Sequence, residues 1–243
     1  MYFISMGRIF EKRKDRMFAR WAKNAKAFTK VGKEIAIAVK LGGGDPAGNP
    51  RLRAAVQTAR SLNMPKDKIE AAIKRATSKD EASFDEVVYE GYGPHGVAII
   101  VETATNNPTR TVANVRSNFN HHGGSMATSG ALDFVFQRRG VFIIGEIPGD
   151  ADEFELNMID HGLEDIFATE EGYLLYSSFE NYVNLQRALE ESKIEIKNAS
   201  LQRIPNSQVS LSPEHEKEIE KLINDLEEDD DVQNVYHNMQ HEN

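Results

Sequence analysis

Apolar residues recur at helical spacing in three runs near the start of the chain. The runs are Phe28, Val31, Ile35 and Ala38; Leu52, Ala55, Val56 and Ala59; and Ile69, Ala72, Ile73 and Ala76. Glycines at 42–44 follow the first run and Pro65 precedes the third. Asn49 is a suitable N-cap for the second run, and Pro50 suits a first helical position. The spacing therefore predicts a small three-helix bundle.

From about residue 84 the pattern changes to short apolar runs that alternate with helical ones. Strands are predicted at 87–89, 97–103, 132–136 and 141–144, with helices that begin after Asn107 and Ser212. Residues 141–204 follow the order β-α-β-β-α-β, which is ferredoxin-like. The predicted fold is α+β, with a helical domain at 1–80, an α+β domain at 81–140 plus 205–243, and an inserted ferredoxin-like domain at 141–204.

Charge is divided unevenly along the chain. The 243 residues carry a net charge of −9, yet residues 1–80 hold 19 Lys+Arg against 7 Asp+Glu. The first part is therefore net +12 and the remainder net −21. Such asymmetry indicates a basic module that meets a polyanion, carried on an acidic body.

The composition narrows the class of protein and its expected cellular location. The chain has no cysteine, which excludes disulfides and thiolate chemistry and is typical of a reducing cytoplasm. No apolar run reaches the roughly 18–20 residues that a membrane span needs, and the start is too short and too quickly charged for a signal peptide. We expect a cytoplasmic protein with no membrane partner.

A row of cations follows one side of the first predicted helix. At about 100° per residue the seven side chains fall within an arc of roughly 140°. They are Lys12, Arg16, Arg20, Lys23, Lys26, Lys30 and Lys33. No acid interrupts the row, which favours contact with nucleic-acid phosphates over a plain solvated face. Further candidates for phosphate contact in the helical domain are Arg51, Arg53, Lys66, Lys74 and Arg75.

Residues 91–96 match G-x-G-x-x-G, the dinucleotide-binding fingerprint. A strand follows the motif here instead of a helix, which excludes that function. The glycines fit a β-β connection whose tip carries Tyr92, Gly93, Pro94 and His95. This tip is a candidate contact loop, with a plain turn as the alternative.

Other polar clusters point away from catalysis. His121 and His122 are adjacent at a helix end without an acid at ligand spacing, so no metal site is predicted. No nucleophile–base pair and no cofactor motif can be identified, which predicts a protein that is not an enzyme. The acidic run at 227–231 is expected to be a solvated loop, with docking against the basic module as the alternative.

Several stretches match a known family. They are Lys26-Ala-Phe-Thr-Lys30, Asn49-Pro-Arg-Leu-Arg-Ala54, Asn63-Met-Pro-Lys-Asp67, Tyr89-Glu-Gly-Tyr-Gly-Pro94, Asn107-Pro-Thr-Arg-Thr-Val-Ala-Asn-Val-Arg116 and His122-Gly-Gly124. Through them the chain resembles the YebC family, which includes the mitochondrial translational activator of cytochrome c oxidase. The resemblance implies three domains and a probable transcriptional regulator that binds DNA, while some members act on ribosomes.

The chain departs from the family pattern at a few positions. Trp21 comes later than the family's usual tryptophan, and the match begins at Met6, so either Met1 or Met6 is the start. His95 stands where glycine is common, and Met126-Ala127 replaces a usual Leu-Gly. These differences concern the shapes of two loops rather than the family.

The sequence as a whole predicts a non-enzymatic, nucleic-acid-binding regulator of gene expression that binds DNA through a basic helical face. The alternative is a ribosome-associated translation factor that uses the same face on RNA, because charge alone does not distinguish the two polyanions. A remote alternative is a small-molecule-binding α+β protein. The sequence predicts no particular oligomeric state.

Overall fold

The computed structural model describes residues 25–78, 83–169 and 172–240. In chain order its elements are α1 (Ala25–Gly42), α2 (Pro50–Ser61), α3 (Lys66–Ala76), β1 (Asp85–Tyr92), β2 (Ala98–Thr105), α4 (Pro108–His121), β3 (Ser125–Met126), β4 (Phe136–Ile144), α5 (Ala151–Ile159), β5 (Leu163–Thr169), β6 (Gly172–Ser178), α6 (Tyr182–Glu191), β7 (Ile196–Pro205), β8 (Val209–Ser210), α7 (Pro213–Glu228), β9 (Val232–His237) and β10 (Met239–Gln240). A short 3₁₀ turn, Pro94–Gly96, joins β1 to β2.

Helices α1, α2 and α3 pack around one apolar core that includes Ile35, Leu52 and Ile69. The start of α2 follows the local signals in the sequence. The side chain of Asn49 accepts a hydrogen bond from the backbone N–H of Leu52, and Pro50 occupies the first helical position. The predicted helical bundle is therefore present in the described residues.

The first sheet has the strand order β3-β1-β2-β9, with antiparallel pairing throughout. Helices α4 and α7 share its core, in which Val101, Phe119 and Leu222 are fully buried. Because β9 comes from the end of the chain and pairs with β2, the chain returns to this sheet after residues 136–205 have formed another.

That second sheet has the order β5-β6-β4-β7, again antiparallel, with α5 and α6 packed on one face. The element order β4-α5-β5-β6-α6-β7 confirms the ferredoxin-like prediction. Together with the helices and the first sheet, it confirms the α+β fold. The strands of this insertion lie between residues 136 and 205.

One predicted element is wrong, namely the strand at 132–136. The chain makes turns there and enters β4 only at Phe136. The buried carboxylate of Glu90 accepts hydrogen bonds from the N–H groups of Gly130, at 2.8 Å, and Leu132, at 2.7 Å. Leu132 and Val135 point into an apolar cluster beside the first sheet. The apolar run is therefore a turn in which Leu132 and Val135 are buried and Phe134 is exposed, not a strand.

Candidate nucleic-acid interface

The structure describes only part of the predicted phosphate-binding set. Lys12, Arg16, Arg20 and Lys23 lie outside the described residues, as does the side chain of Lys26. The remaining candidates are Lys30 and Lys33 on α1, Arg51 and Arg53 on α2, and Lys66, Lys74 and Arg75 on α3.

Lys33 points from α1 into the junction with the first sheet. Its Nζ lies 2.8 Å from Oδ1 of Asp231 and donates to the carbonyl oxygens of Ala104, at 3.0 Å, and Asp230, at 2.8 Å. One turn earlier, Nζ of Lys30 donates to the carbonyl of Glu227 at 3.1 Å. The acidic run at 227–231 thus docks against the basic module, and the expectation of a solvated loop is wrong.

Asp231 collects further donors around the same carboxylate. Its Oδ2 accepts hydrogen bonds from the hydroxyls of Thr105, at 3.0 Å, and Thr111, at 2.9 Å. Arg110 donates to the same oxygen at 2.5 Å. We call Asp231, Lys33, Thr105, Arg110 and Thr111 the Asp231 hub. It joins α1, the end of β2, the first turn of α4 and the start of β9.

The hub controls the ionisation of its central carboxyl. Burial acts to raise the pKa of Asp231, but hydrogen bonds from Lys33, Arg110 and Thr111 outweigh that effect and hold the pKa well below its usual range. Asp231 is therefore ionised near neutral pH. A buried, ionised carboxylate needs these partners, so Lys33 has an intramolecular role.

Arg51 and Arg53 on α2 also contact acids of other elements. Nε of Arg51 lies 2.7 Å from Oε1 of Glu34, and its Nη2 lies 2.6 Å from Oε1 of Glu86 at the start of β1. Arg53 donates to the carbonyl of Ala47 at 2.8 Å, and its Nε lies 3.4 Å from Oε1 of Glu190 on α6. These two arginines orient the helical domain against both α+β units.

Helix α3 carries its candidate cations on the outside. Lys66, Lys74 and Arg75 are exposed, while Ile69 and Ala76 face the bundle core. Lys66 lies 3.6 Å from Glu70, an exposed pair one turn apart. Among the described residues of this domain, three further exposed cations were not candidates, namely Lys40, Arg60 and Lys68. Lys68 could have been found by placing every cation of α3 on a helical wheel.

The glycine-rich tip is seated on α7. Gly93 is buried, and a Cβ there would lie 3.1 Å from the side chains of both Ile219 and Ile99. Glycine at this position therefore allows the tip to approach the helix closely. Pro94 begins the 3₁₀ turn, and Tyr92 keeps 36% of its surface exposed.

His95 fixes the other side of the tip. Its ring stacks on that of His215, with centroids 3.7 Å apart, and its Nε2 lies 2.8 Å from Oε2 of Glu218. Its φ of 62° is in the left-handed region, where glycine is favoured. His95 thus contacts α7, and Tyr92 is the outward-facing ring of the tip.

His122 has a specific acidic partner. Its Nε2 lies 2.7 Å from Oδ2 of Asp225 on α7. Across the described ranges, no group of three or more His, Cys, Asp or Glu side chains could hold a metal ion. None of the helices described is long and apolar enough to span a membrane.

Comparison with known proteins covers nearly the whole chain. Residues 8–79 match the family described as "TACO1/YebC protein N-terminal domain", and residues 84–239 match "TACO1/YebC second and third domain". A relative from Porphyromonas gingivalis is 53% identical over 98% of this chain and 98% of its own length. A relative from Anaeromyxobacter dehalogenans is 51% identical over 96% of this chain and 100% of its own length. Both are named probable transcriptional regulatory proteins.

A solved structure is also similar to this chain. The crystal structure of a conserved hypothetical protein from Aquifex aeolicus gives a TM-score of 0.75 at 38% identity. The match covers 88% of this chain and 89% of that one. The similarity therefore extends over the helical bundle and the two four-stranded sheets.

Proposed function

Because the chain belongs to the TACO1/YebC family, as its sequence motifs predicted, we propose that it is a non-enzymatic regulator of gene expression that binds nucleic acid. More specifically, we propose a transcriptional regulatory protein that binds DNA through the helical domain. The names of its relatives support regulation. The observation that carries nucleic-acid binding is the separation of charge between a helical domain of net +12 and a remainder of net −21.

The contacts of the described cations divide them into two groups. Lys33, Arg51 and Arg53 bind acids and carbonyls of this chain, so they set the orientation of the domain. The cations exposed on α3 are available to bind phosphates. They are Lys66, Lys68, Lys74 and Arg75. We propose that Lys12, Arg16, Arg20, Lys23, Lys26 and Lys30 contribute further phosphate contacts.

Such a surface recognises the backbone of a nucleic acid. Lysine and arginine neutralise phosphates and release counterions, which supplies affinity without sequence readout. The acidic remainder repels phosphates, so the polyanion is confined to the helical domain. A cytoplasmic location belongs to the same proposal, as the cysteine-free sequence predicted.

The test compares two charge reversals that change the net charge equally. Lys74→Glu with Arg75→Glu alters the outside of α3, and Lys217→Glu with Lys221→Glu alters exposed positions on α7. Fluorescence anisotropy of a labelled DNA duplex measures the dissociation constant of each variant. We expect the α3 variant to lose affinity by about tenfold or more, and the α7 variant to lose much less.

Salt dependence provides an independent check. The logarithm of the association constant should fall linearly with the logarithm of salt concentration, with a slope of about −0.9 per phosphate contacted. The α3 variant should show a shallower slope, by roughly 1 per lost contact. A flat slope for the unmodified protein, or equal losses in both variants, would refute phosphate binding through α3.

The same titration distinguishes DNA from RNA. A structured RNA hairpin of matched charge replaces the duplex, and both variants are measured again. Comparable or tighter binding to DNA supports the transcriptional role. Binding to RNA that is at least about tenfold tighter would make this a translation factor, and the tenfold difference corresponds to about 1.4 kcal/mol.

A further inference from the structure

Helix α5 of the ferredoxin-like insertion is apolar on two faces. Phe154 and Met158 point into the insertion's core and are nearly fully buried. Leu156 and Ile159 point the other way and keep 68% and 50% of their surface exposed. They are three residues apart and so share one outer face. Neither Leu156 nor Ile159 belongs to the apolar core of the insertion.

The neighbouring helix extends this apolar surface. The chain leaves α5 through Gly162, where a side chain would run into Asn181, the residue before α6. The loop after α5 therefore meets the residue that precedes α6. Phe179 and Val183 flank that junction, each 41% exposed. We call Leu156, Ile159, Phe179 and Val183 the insertion patch.

The surroundings of the insertion patch are mostly acidic, with Arg138 and the exposed Arg187, one turn after Val183, as cations at its edge. From residue 140 to residue 186 the chain contains 11 Asp+Glu and neither lysine nor arginine. Glu155, Asp160 and Glu180 are immediate sequence neighbours of patch residues. Arg138 reaches the margin from β4, where its guanidinium lies 4.2 Å from the centroid of the Phe179 ring. An apolar centre with an acidic border requires a partner that is both apolar and cationic.

We propose that the insertion patch binds a cationic amphipathic helix of a partner protein. The partner's apolar side would cover Leu156 and Ile159, and its lysines or arginines would face Glu155, Asp160 and Glu180. The net negative charge of the border repels nucleic acid and anionic lipid surfaces. This site lies in a different domain from the proposed nucleic-acid surface and does not depend on it. The protein would thereby connect a polyanion with a basic protein partner.

The experiment uses the full chain and a synthetic probe. The probe is a fluorescein-labelled amphipathic Leu/Lys peptide of about four helical turns, and the Leu/Glu peptide of the same pattern is the charge control. Leu156→Ser with Ile159→Ser removes the centre of the patch. Leu41→Ser with Phe134→Ser is the matched control, since those side chains are 70% and 74% exposed elsewhere in the chain.

We expect the Leu/Lys peptide to bind the unmodified protein and the control variant within about twofold of each other. The patch variant should lose at least about tenfold in affinity, which is about 1.4 kcal/mol. The Leu/Glu peptide should not bind. Binding of the Leu/Lys peptide should weaken as salt rises, because the acidic border supplies part of the attraction. DNA binding by the patch variant should be unchanged.

Other results would overturn the proposal. Equal peptide binding by both variants would show that the patch is not the docking site. Sedimentation velocity tests a second copy as the occupant: a dimer that Leu156→Ser with Ile159→Ser dissociates would replace the partner protein with this chain itself. Equal binding of the Leu/Lys and Leu/Glu peptides would show that the acidic border does not select a cationic partner.

Discussion

Replacing Asp231 with asparagine removes the charge at the centre of the hub while keeping the shape of the side chain. In the native protein Asp231 is 4% exposed, and the side chain of Lys33 that pairs with it is 11% exposed. The substitution leaves the ammonium of Lys33 with the carbonyl oxygens of Ala104 and Asp230 and the Phe84 ring, whose centroid is 5.3 Å away, as neutral contacts. A buried cation would then lack its counter-charge.

The magnitude follows from which hub contacts are buried. Removing one member of a buried ion pair costs about 3–5 kcal/mol. Arg110 is half exposed and regains water, so its lost contact adds little. Asparagine still offers an oxygen to the hydroxyls of Thr105 and Thr111. We therefore expect the free energy of unfolding to fall by about 3 kcal/mol, at the low end of that range.

Urea unfolding followed by circular dichroism measures this loss of stability. A double-mutant cycle shows how much of the loss comes from the pair of Asp231 and Lys33. Lys33→Met removes the ammonium that Asp231→Asn leaves without a counter-charge. The variant with both changes should therefore be destabilised by less than the sum of the single changes. The control cycle is Lys66→Met with Glu70→Gln, a pair 86% and 66% exposed. Its interaction energy should stay below about 0.5 kcal/mol.

The reasoning would be refuted if Asp231→Asn cost less than about 0.5 kcal/mol, the range of ordinary surface changes. Equal interaction energies in the two cycles would refute it as well. Because the chain has several apolar cores, the dependence of the unfolding free energy on urea must be the same in all variants for the comparison to hold.

Three further predictions follow from the described contacts. Burial acts to raise the pKa of Asp231, but Lys33, Arg110 and Thr111 lower it. The stabilisation that the hub provides is therefore complete above the unfolded pKa of about 3.9. It is lost as the pH falls from there through the lower folded pKa. The stability difference between the native protein and Asp231→Asn should therefore be smaller at pH 3 than at pH 7 in urea titrations. Lys193→Gly should raise the unfolding free energy by about 1 kcal/mol, because Lys193 has a φ of 58° just after α6, and Lys193→Ala should show no such gain. Tyr92→Ala should leave the protein folded, with an unchanged circular dichroism spectrum, but weaken nucleic-acid binding by about 1–3 kcal/mol if its ring stacks on a base. Unchanged affinity would leave the tip as a turn.

The elements that the sequence predicted correctly depend on neighbours a few residues away. Asn107 and Ser212 accept hydrogen bonds from the N–H groups of Arg110 and His215, which begin α4 and α7 as their Asn-Pro and Ser-Pro pairs indicated. The β-α-β-β-α-β order followed from changes between helical and strand periods. The turn at 132–135 was missed because it depends on Glu90, a residue 42 positions before Leu132.

By itself the sequence determined the family, most of the α+β elements in order, and a helical domain whose charge is opposite to that of the rest. Helical spacing placed Lys33 on a basic face, because that spacing depends only on the backbone's 3.6-residue period. The tertiary structure decided what the face meets. It brings Asp231, 198 residues away, to Lys33, and brings Glu86 to Arg51 and Glu190 to Arg53. Whether a cation binds its own chain or is exposed to an external phosphate depends on its distance from buried acids and on their removal from water, which only the folded chain sets.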